Sequence, residues 1–296
     1  MTISDYLVKY KIEFKLDLST SKLSAIKAGG IAKYVVYPKS AEELITALSL
    51  CKAFSQRFKI IGGCTNTFFG DFGFDGIIIS TKMLSGVKFC NESAYACAGT
   101  PLISLLREAA ALGIDFTADL FGIPGSVGGA LRNNAGAYSS SISDCFDFGF
   151  FYDLDADKTI KLNRNELSFS YRSSILQSQS LVFLNGKFKG KTRDKSEINE
   201  EFKRVIDRRR ASQPSAPSLG SFFKRNGDVI PSLLIDRAGL KGLRVGGAMV
   251  SEKHAGFIVN ADNATASDVN NLAKKVENEI FKKYHLALIR EAEYVT

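Results

Sequence analysis

No apolar run in this 296-residue chain approaches the length needed to cross a bilayer, which is roughly 20 consecutive residues. No secretory leader is expected either. Residues 1–15 mix Asp5, Lys9, Lys11 and Glu13 with apolar positions, so no signal-peptide core stands there, and a cytoplasmic location is the expectation. The five cysteines (Cys51, Cys64, Cys90, Cys97 and Cys145) are odd in number and contain no C-x-x-C pair, which argues for reduced thiols and against a zinc site. Only two histidines occur, His254 and His285, so a histidine-rich metal centre is excluded and no metal is expected. Both read as surface or helix-end imidazoles. A face of basic residues interleaved with aromatics is lacking as well, and with it the footprint of a nucleic-acid binder. The net charge of +8 is spread along the chain. Its densest cluster, Arg208-Arg209-Arg210, ends a predicted helix, where cations suit the dipole. Binding of phosphorylated small molecules accounts for the charge equally well.

What the chain has is an ordinary globular composition, 45% hydrophobic and 24% charged, at a length that suits two or more domains. Ile31–Tyr37 reads as a strand stopped by Pro38. Ser40, with Glu43 three residues on, reads as a capping box opening a helix to about Lys52. Short strands are expected at Arg57–Ile61 and Gly76–Ser80. Leu102, Leu105, Leu106 and Ala109 give the i, i+3, i+4, i+7 spacing of an amphipathic helix, closed by Gly113. Further strands fall near Phe148–Tyr152, Leu181–Leu184 and Phe257–Val259. Ile198, Phe202, Val205 and Ile206 mark one helix, and Leu233–Ala238 is closed by Gly239. Val269, Leu272, Ala273, Val276 and Ile280 mark another helix, capped at Thr265–Ser267. The lysine-rich stretch Lys187–Lys195 reads as a surface connection between two domains.

The most informative segment is Gly122–Tyr138, with five glycines in the fifteen residues from Gly122 to Gly136 and almost no charge. Such density lets a backbone turn sharply and offer bare N–H groups to anionic oxygens, so a loop around a phosphate-bearing cofactor is expected. Gly62-Gly63-Cys64-Thr65-Asn66 is a second glycine loop, about sixty residues earlier; two such loops suit a pyrophosphate gripped from either side. Taken alone, its glycine pair reads equally well as a tight turn. It also lacks the third glycine of the dinucleotide fingerprint, which disfavours a Rossmann fold. Two further segments, Phe169–Ser174 and Pro217–Lys224, place Arg172 beside Tyr171 and Ser221 after a glycine. The G-x-S-x-G frame of a nucleophile elbow is absent, so Ser221 reads as a proton donor or orienting hydroxyl.

In order along nearly the whole chain, these segments resemble the UDP-N-acetylenolpyruvoylglucosamine reductase (MurB) family. The resemblance runs through Lys27–Gly30, Gly62–Asn66, Gly122–Tyr138, Tyr171–Ser174, Pro217–Lys224, Ala238–Gly242 and Val250–Asn260. It implies an α+β protein: an FAD-binding domain of the vanillyl-alcohol-oxidase (PCMH) type with a smaller α+β substrate-binding domain. The boundaries implied are residues 1–190 for the FAD-binding region, two lobes with a core of about 27–190, and 196–296 for the substrate domain. The implied activity is NADPH-dependent reduction of UDP-N-acetylglucosamine enolpyruvate, by a monomer with no nucleic-acid or membrane partner. The implied FAD contacts are Gly62, Gly63, Cys64, Thr65, Asn66, Gly122, Pro124, Gly125, Ser126, Gly128, Gly129, Asn134 and Gly136. Arg172 matches the arginine facing the substrate carboxylate, Ser221 the proton donor, and Glu291 the C-terminal carboxylate, in preference to Glu293. Tyr171 and Lys224 match substrate contacts, and His254 is expected to make a structural hydrogen bond.

The chain departs from the family at Cys64 and Thr65, at Arg132-Asn133, at Arg225-Asn226 and at Glu293, where relatives carry arginine. It stops five residues after Glu291, so no strand pairing is expected beyond that residue. It lacks the tyrosine-bearing insertion of one family subtype and so resembles the shorter one. Two other readings stay open. An FAD-dependent oxidase of the same fold is disfavoured by the lack of a histidine near the glycine loops to tether flavin. A non-catalytic flavin-binding relative has room in the departures, but Arg172, Ser221 and Glu291 are all retained.

Overall fold

The computed structural model describes residues 1–296, and the chain divides into two compact units. Unit 1 comprises 1–15, 35–63 and 77–209; unit 2 comprises 16–34, 64–76 and 210–296.

Unit 1 is built from the helices that the periodicity marked and from an antiparallel sheet. Ser40 caps the helix Ala41–Ala53, its hydroxyl accepting from the Glu43 N–H at 3.2 Å. The return bond of a capping box is displaced by one residue, the Glu43 carboxylate accepting from Lys39 N–H instead. Phe58–Ile61 pairs in parallel with Ile77–Ser80. Leu102–Ala111 buries Leu102, Leu105, Leu106, Ala109 and Ala110 along one face and ends before Gly113, whose φ of +77° suits a helix stop. The five-stranded sheet runs in the order Lys158–Asn163, Phe146–Asp153, Leu181–Lys189, Ser93–Cys97, Val87–Cys90. Phe151 and Phe188 are among its fully buried side chains.

Lys187–Lys189, expected in a domain connection, instead continues the strand Leu181–Lys189. Phe188 points into the core, while Lys187 and Lys189 lie on the other face with their ammonium groups 3.7 and 2.9 Å from the Asp147 carboxylate. Period-two alternation, not composition, sets the structure here. The glycine-rich segment also differs from a simple loop, since Val127–Arg132 forms a six-residue helix capped by Ser126.

Unit 2 has a four-stranded antiparallel sheet ordered Ser218–Ser221, Phe257–Asn260, Ala248–Val250, Arg244–Val245. Its core is closed by the helix Ala266–Tyr284, which starts at a full capping box between Thr265 and Asp268 and buries Val269, Leu272, Ala273, Val276 and Ile280. Full burial of each large aliphatic side chain is worth about 1.5–3 kcal/mol. Against expectation, the chain pairs again after Glu291. Glu293–Val295 lies parallel to Thr67–Phe69, with Glu293 opposite Thr67. Tyr294 packs on Phe68 with ring centroids 4.8 Å apart, so this short strand is fastened by side chains as well as by its ladder.

Candidate active site

Unit 1 brings the two glycine loops face to face. A Cβ added to Gly62 would stand 2.0 Å from Ser126 Oγ, and one added to Gly63 would stand 2.7 Å from the Gly125 Cα. Only glycine permits backbones this close. Not every N–H of the segment is bare. Val127 donates to Thr100 O (2.8 Å), Gly128 to Ala98 O (2.9 Å), and Gly129 to the Ser126 hydroxyl (3.2 Å). The N–H groups of Gly63, Gly125 and Ser126, at the point of closest approach, have no protein acceptor. Unpaired amides on two opposed loops fit an anionic group. Beside the Gly122 turn lies a second donor that the sequence reading treated only as a helix-end cation. Arg209 Nε is buried without a partner, and burial lowers the pKa of this guanidinium; a Cβ added to Gly122 would stand 3.1 Å from Arg209 Cδ. Arg208 stacks 3.9 Å from the Tyr138 ring centroid. Alternation of Tyr138 and the arginine run carried no signal that they meet, because seventy residues separate them.

Arg172 sits on a tight turn closed by mutual backbone bonds between Ser170 and Ser173, at 3.1 and 3.2 Å. Its φ is +53°, a conformation that costs a non-glycine residue of order 1–3 kcal/mol and persists only when its surroundings impose it. They do so at three points. The Arg172 Nη2 donates to Gly136 O (2.8 Å), Gln177 Nε2 donates to Arg172 O (3.0 Å), and Asn134 Nδ2 donates to Ser170 O (2.9 Å). Asn134 and Gly136, expected as cofactor contacts, therefore hold the arginine turn. Tyr171 is exposed, with the Arg172 guanidinium carbon 5.2 Å from its ring centroid. The departure at Arg132 is structural: its guanidinium bonds Leu176 O, and its own carbonyl accepts from Ser174 Oγ (2.9 Å).

Unit 2 assembles the remaining residues. Ser221 ends the strand Ser218–Ser221, where a register shift against Phe257–Asn260 and the +74° φ of Gly220 form a bulge. Bulges re-aim side chains, and Ser221 is exposed. The next strand, Phe223–Lys224, pairs with Ile289–Arg290, placing Lys224 opposite Ile289. Between them, Glu291 N–H donates to Phe222 O at 2.9 Å. Ser221, Lys224 and Glu291 thus share one stretch of paired backbone. Glu293 is engaged elsewhere, accepting from Thr67 Oγ1 (3.4 Å).

Cys64, Thr65 and Asn66 belong to this unit too. Cys64 has a φ of +50°, and its buried thiol donates to Thr67 O. Asn66 Nδ2 donates to Glu291 O (2.9 Å), and Asn66 O accepts from Glu293 N–H (2.9 Å). Asn226 and Val229 close a turn through mutual backbone bonds of 3.3 and 3.1 Å, and nothing in the structure explains the departure at this position. His254 Nδ1 accepts from Gly256 N–H (3.1 Å), the kind of structural bond the sequence suggested. Burial lowers its pKa and keeps it neutral.

A fold with this cradle in unit 1 defines a flavoprotein oxidoreductase. An FAD-binding domain, of the PCMH type, matches residues 32–148, and the C-terminal domain of UDP-N-acetylenolpyruvoylglucosamine reductase matches residues 213–295. The chain belongs to the UDP-N-acetylenolpyruvoylglucosamine reductase family. It is 37% identical over 298 residues to the reductase of Caldicellulosiruptor bescii, covering 100% of this chain and 95% of that one. With the reductase of Pseudothermotoga lettingae it shares 39% identity, over 95% of this chain and 97% of the other. The crystal structure of the Thermus caldophilus MurB superposes with a TM-score of 0.82 at 30% identity, covering 96% of this chain and 99% of that one. No helix is long and apolar enough to cross a membrane.

Proposed function

We propose that the protein reduces UDP-N-acetylglucosamine enolpyruvate to UDP-N-acetylmuramate with electrons from NADPH. The observation that carries this reading is full-length membership of the reductase family with Arg172, Ser221 and Glu291 all present. Residues 1–190 form the FAD-binding region and 196–296 the substrate-binding domain of a monomer. The chain is of the shorter subtype. A nucleotide-sugar substrate and a nicotinamide reductant place the reaction in the cytoplasm, and five free cysteines accord with that.

The cradle fits the cofactor: the amides of Gly63, Gly125 and Ser126 would hold its pyrophosphate, with Gly62, Gly122, Pro124, Gly128 and Gly129 shaping the approach. Held there, FAD would supply the hydride-transfer chemistry between NADPH and the vinyl methylene of the substrate. An enol ether is electron-rich, so charge must be drawn toward the substrate carboxylate as the new C–H bond forms. Arg172 meets that demand with a planar, always-charged fork that binds a carboxylate through two hydrogen bonds. The Ser221 hydroxyl gives its proton to the neighbouring carbon, whose basicity makes a weak acid sufficient when the geometry is fixed. Glu291 supports the same charge shift as the C-terminal carboxyl group. It is protonated or paired during turnover, because two bare carboxylates repel. Tyr171 and Lys224 contact the substrate, Lys224 as a point charge toward its diphosphate.

The test is anaerobic stopped-flow absorbance. NADPH should bleach the flavin band, and the enolpyruvyl substrate should restore it without oxygen. Recolouring should vanish in Ser221→Ala while bleaching survives. A protein that bleaches but never recolours with this substrate refutes the substrate assignment. A protein unable to take up FAD refutes the cofactor assignment too.

A further inference from the structure

We propose that Asn66 and Arg290 are positioning residues that fix Glu291 from both sides, an inference that rests on reading Glu291 as the catalytic carboxyl group. Glu291 lies between two short pieces of strand, Ile289–Arg290 and Glu293–Val295. Segments of two and three residues have too few ladder bonds to hold a side chain within the fraction of an ångström that catalysis needs. Additional side-chain bonds supply what the ladders lack.

On the N-terminal side, Arg290 forks onto Glu277. Nε donates to Oε1 at 2.5 Å and Nη2 to Oε2 at 2.9 Å, while Nη1 donates to Asn270 Oδ1 at 2.7 Å. Both acceptors belong to the helix Ala266–Tyr284, held by its capping box and its buried face. A bidentate pair with both partners about three-quarters buried fixes direction as well as distance. On the C-terminal side, Asn66 brackets residues 291–293: its side-chain amide donates to Glu291 O, and its own carbonyl accepts from Glu293 N–H, both at 2.9 Å. Glu291 N–H is tied to Phe222 O, one residue from Ser221. The N–H and C=O of Glu291 and the side chain that precedes it are thus all committed.

The Asn66 bond is the distinctive one. A backbone ladder serves any strand, whereas this donor is a side chain delivered to the carbonyl of the one residue whose carboxyl group the reaction uses. A loop that reads in sequence as a cofactor contact thus acts, through its last residue, on the proton-transfer side of the chemistry.

The experiment compares Asn66→Asp, which keeps the volume but replaces the donor by an acceptor, Asn66→Ala, which adds no charge, and Arg290→Lys, which keeps the charge but loses the fork. Glu291→Gln is measured in parallel, all as holoenzymes. In each positioning variant the flavin should recolour with the enolpyruvyl substrate about tenfold more slowly or worse, with FAD content and bleaching by NADPH unchanged. Asn66→Ala should slow the Glu291→Gln enzyme no further. Amide exchange across residues 289–295 of the apoprotein should quicken in Asn66→Ala, a readout that needs no turnover. Wild-type recolouring in both Asn66 variants, losses that multiply in the double variant, or loss of FAD and slow bleaching would overturn the proposal. Wild-type recolouring in Glu291→Gln would instead remove the reading of Glu291 on which it stands.

Discussion

Alanine at Gly62 probes the contact between the glycine loops most directly. Its Cβ would fall 2.0 Å from Ser126 Oγ and 3.1 Å from Ser126 Cβ. Ser126 can relieve the first clash only by rotating its hydroxyl away, which breaks the cap to Gly129 N–H and costs about 1 kcal/mol. The residual Cβ–Cβ crowding resembles an overpacked core and adds about 1–3 kcal/mol. Gly62→Ala should therefore destabilise unit 1 by about 2–4 kcal/mol. Ser126→Gly removes both offending atoms and, as an N-cap change, costs only a few tenths of a kcal/mol. The double variant should return to within about 1 kcal/mol of wild type. Urea unfolding of the four apoproteins, followed by far-ultraviolet circular dichroism, measures this cycle, and FAD affinity from flavin fluorescence should follow the same order. If the two losses add to within about 0.5 kcal/mol, or Gly62→Ala is as stable as wild type, the loops do not touch as described.

Arg172→Lys keeps a positive charge but loses the fork, so turnover with the enolpyruvyl substrate should fall about 100-fold in steady-state assays with flavin bleaching intact. His254 is held neutral by burial, so its pKa in the folded protein lies below the ordinary 6.5 and the unfolded chain takes up the proton first. Its contribution to stability is complete above 6.5 and is lost as pH falls through and below that value. The melting temperature should accordingly drop less between neutral and mildly acidic pH in His254→Asn, and an unchanged slope would refute this. Burial pushes the Cys51 and Cys145 thiols up to about 12, whereas Cys90 is exposed. Iodoacetamide followed by peptide mapping should find Cys90 modified in the native protein, and Cys51 and Cys145 only after unfolding.

Which parts of the fold were legible in the sequence follows from the range of the forces that set them. The helices at Ala41–Ala53, Leu102–Ala111 and Ala266–Tyr284 announce themselves because period, cap and stop all lie within one segment. The strand Lys158–Asn163 did not, since it alternates only Ile160 and Leu162 with polar residues on an exposed sheet edge. The helix Val127–Arg132 was hidden by its two glycines, each about 1 kcal/mol worse than alanine in a helix interior. The terminal strand Glu293–Val295 depends on a partner 226 positions away in sequence, which no local pattern encodes. The candidate site follows the same rule. The roles proposed for Arg172, Ser221 and Glu291 come from the resemblance to the reductase family, because no local pattern singles these residues out. The bonds around them were not legible: Asn134 to the Ser170 carbonyl, Arg290 to Glu277 and Asn66 to the Glu291 carbonyl join residues 36, 13 and 225 positions apart, in each case from one structural element to another. Two of the three acceptors are carbonyls, which every residue possesses, so no residue type marks them in advance. Asparagine in a glycine loop looks the same whether it faces a ligand or the backbone of a distant strand, and only the fold decides which.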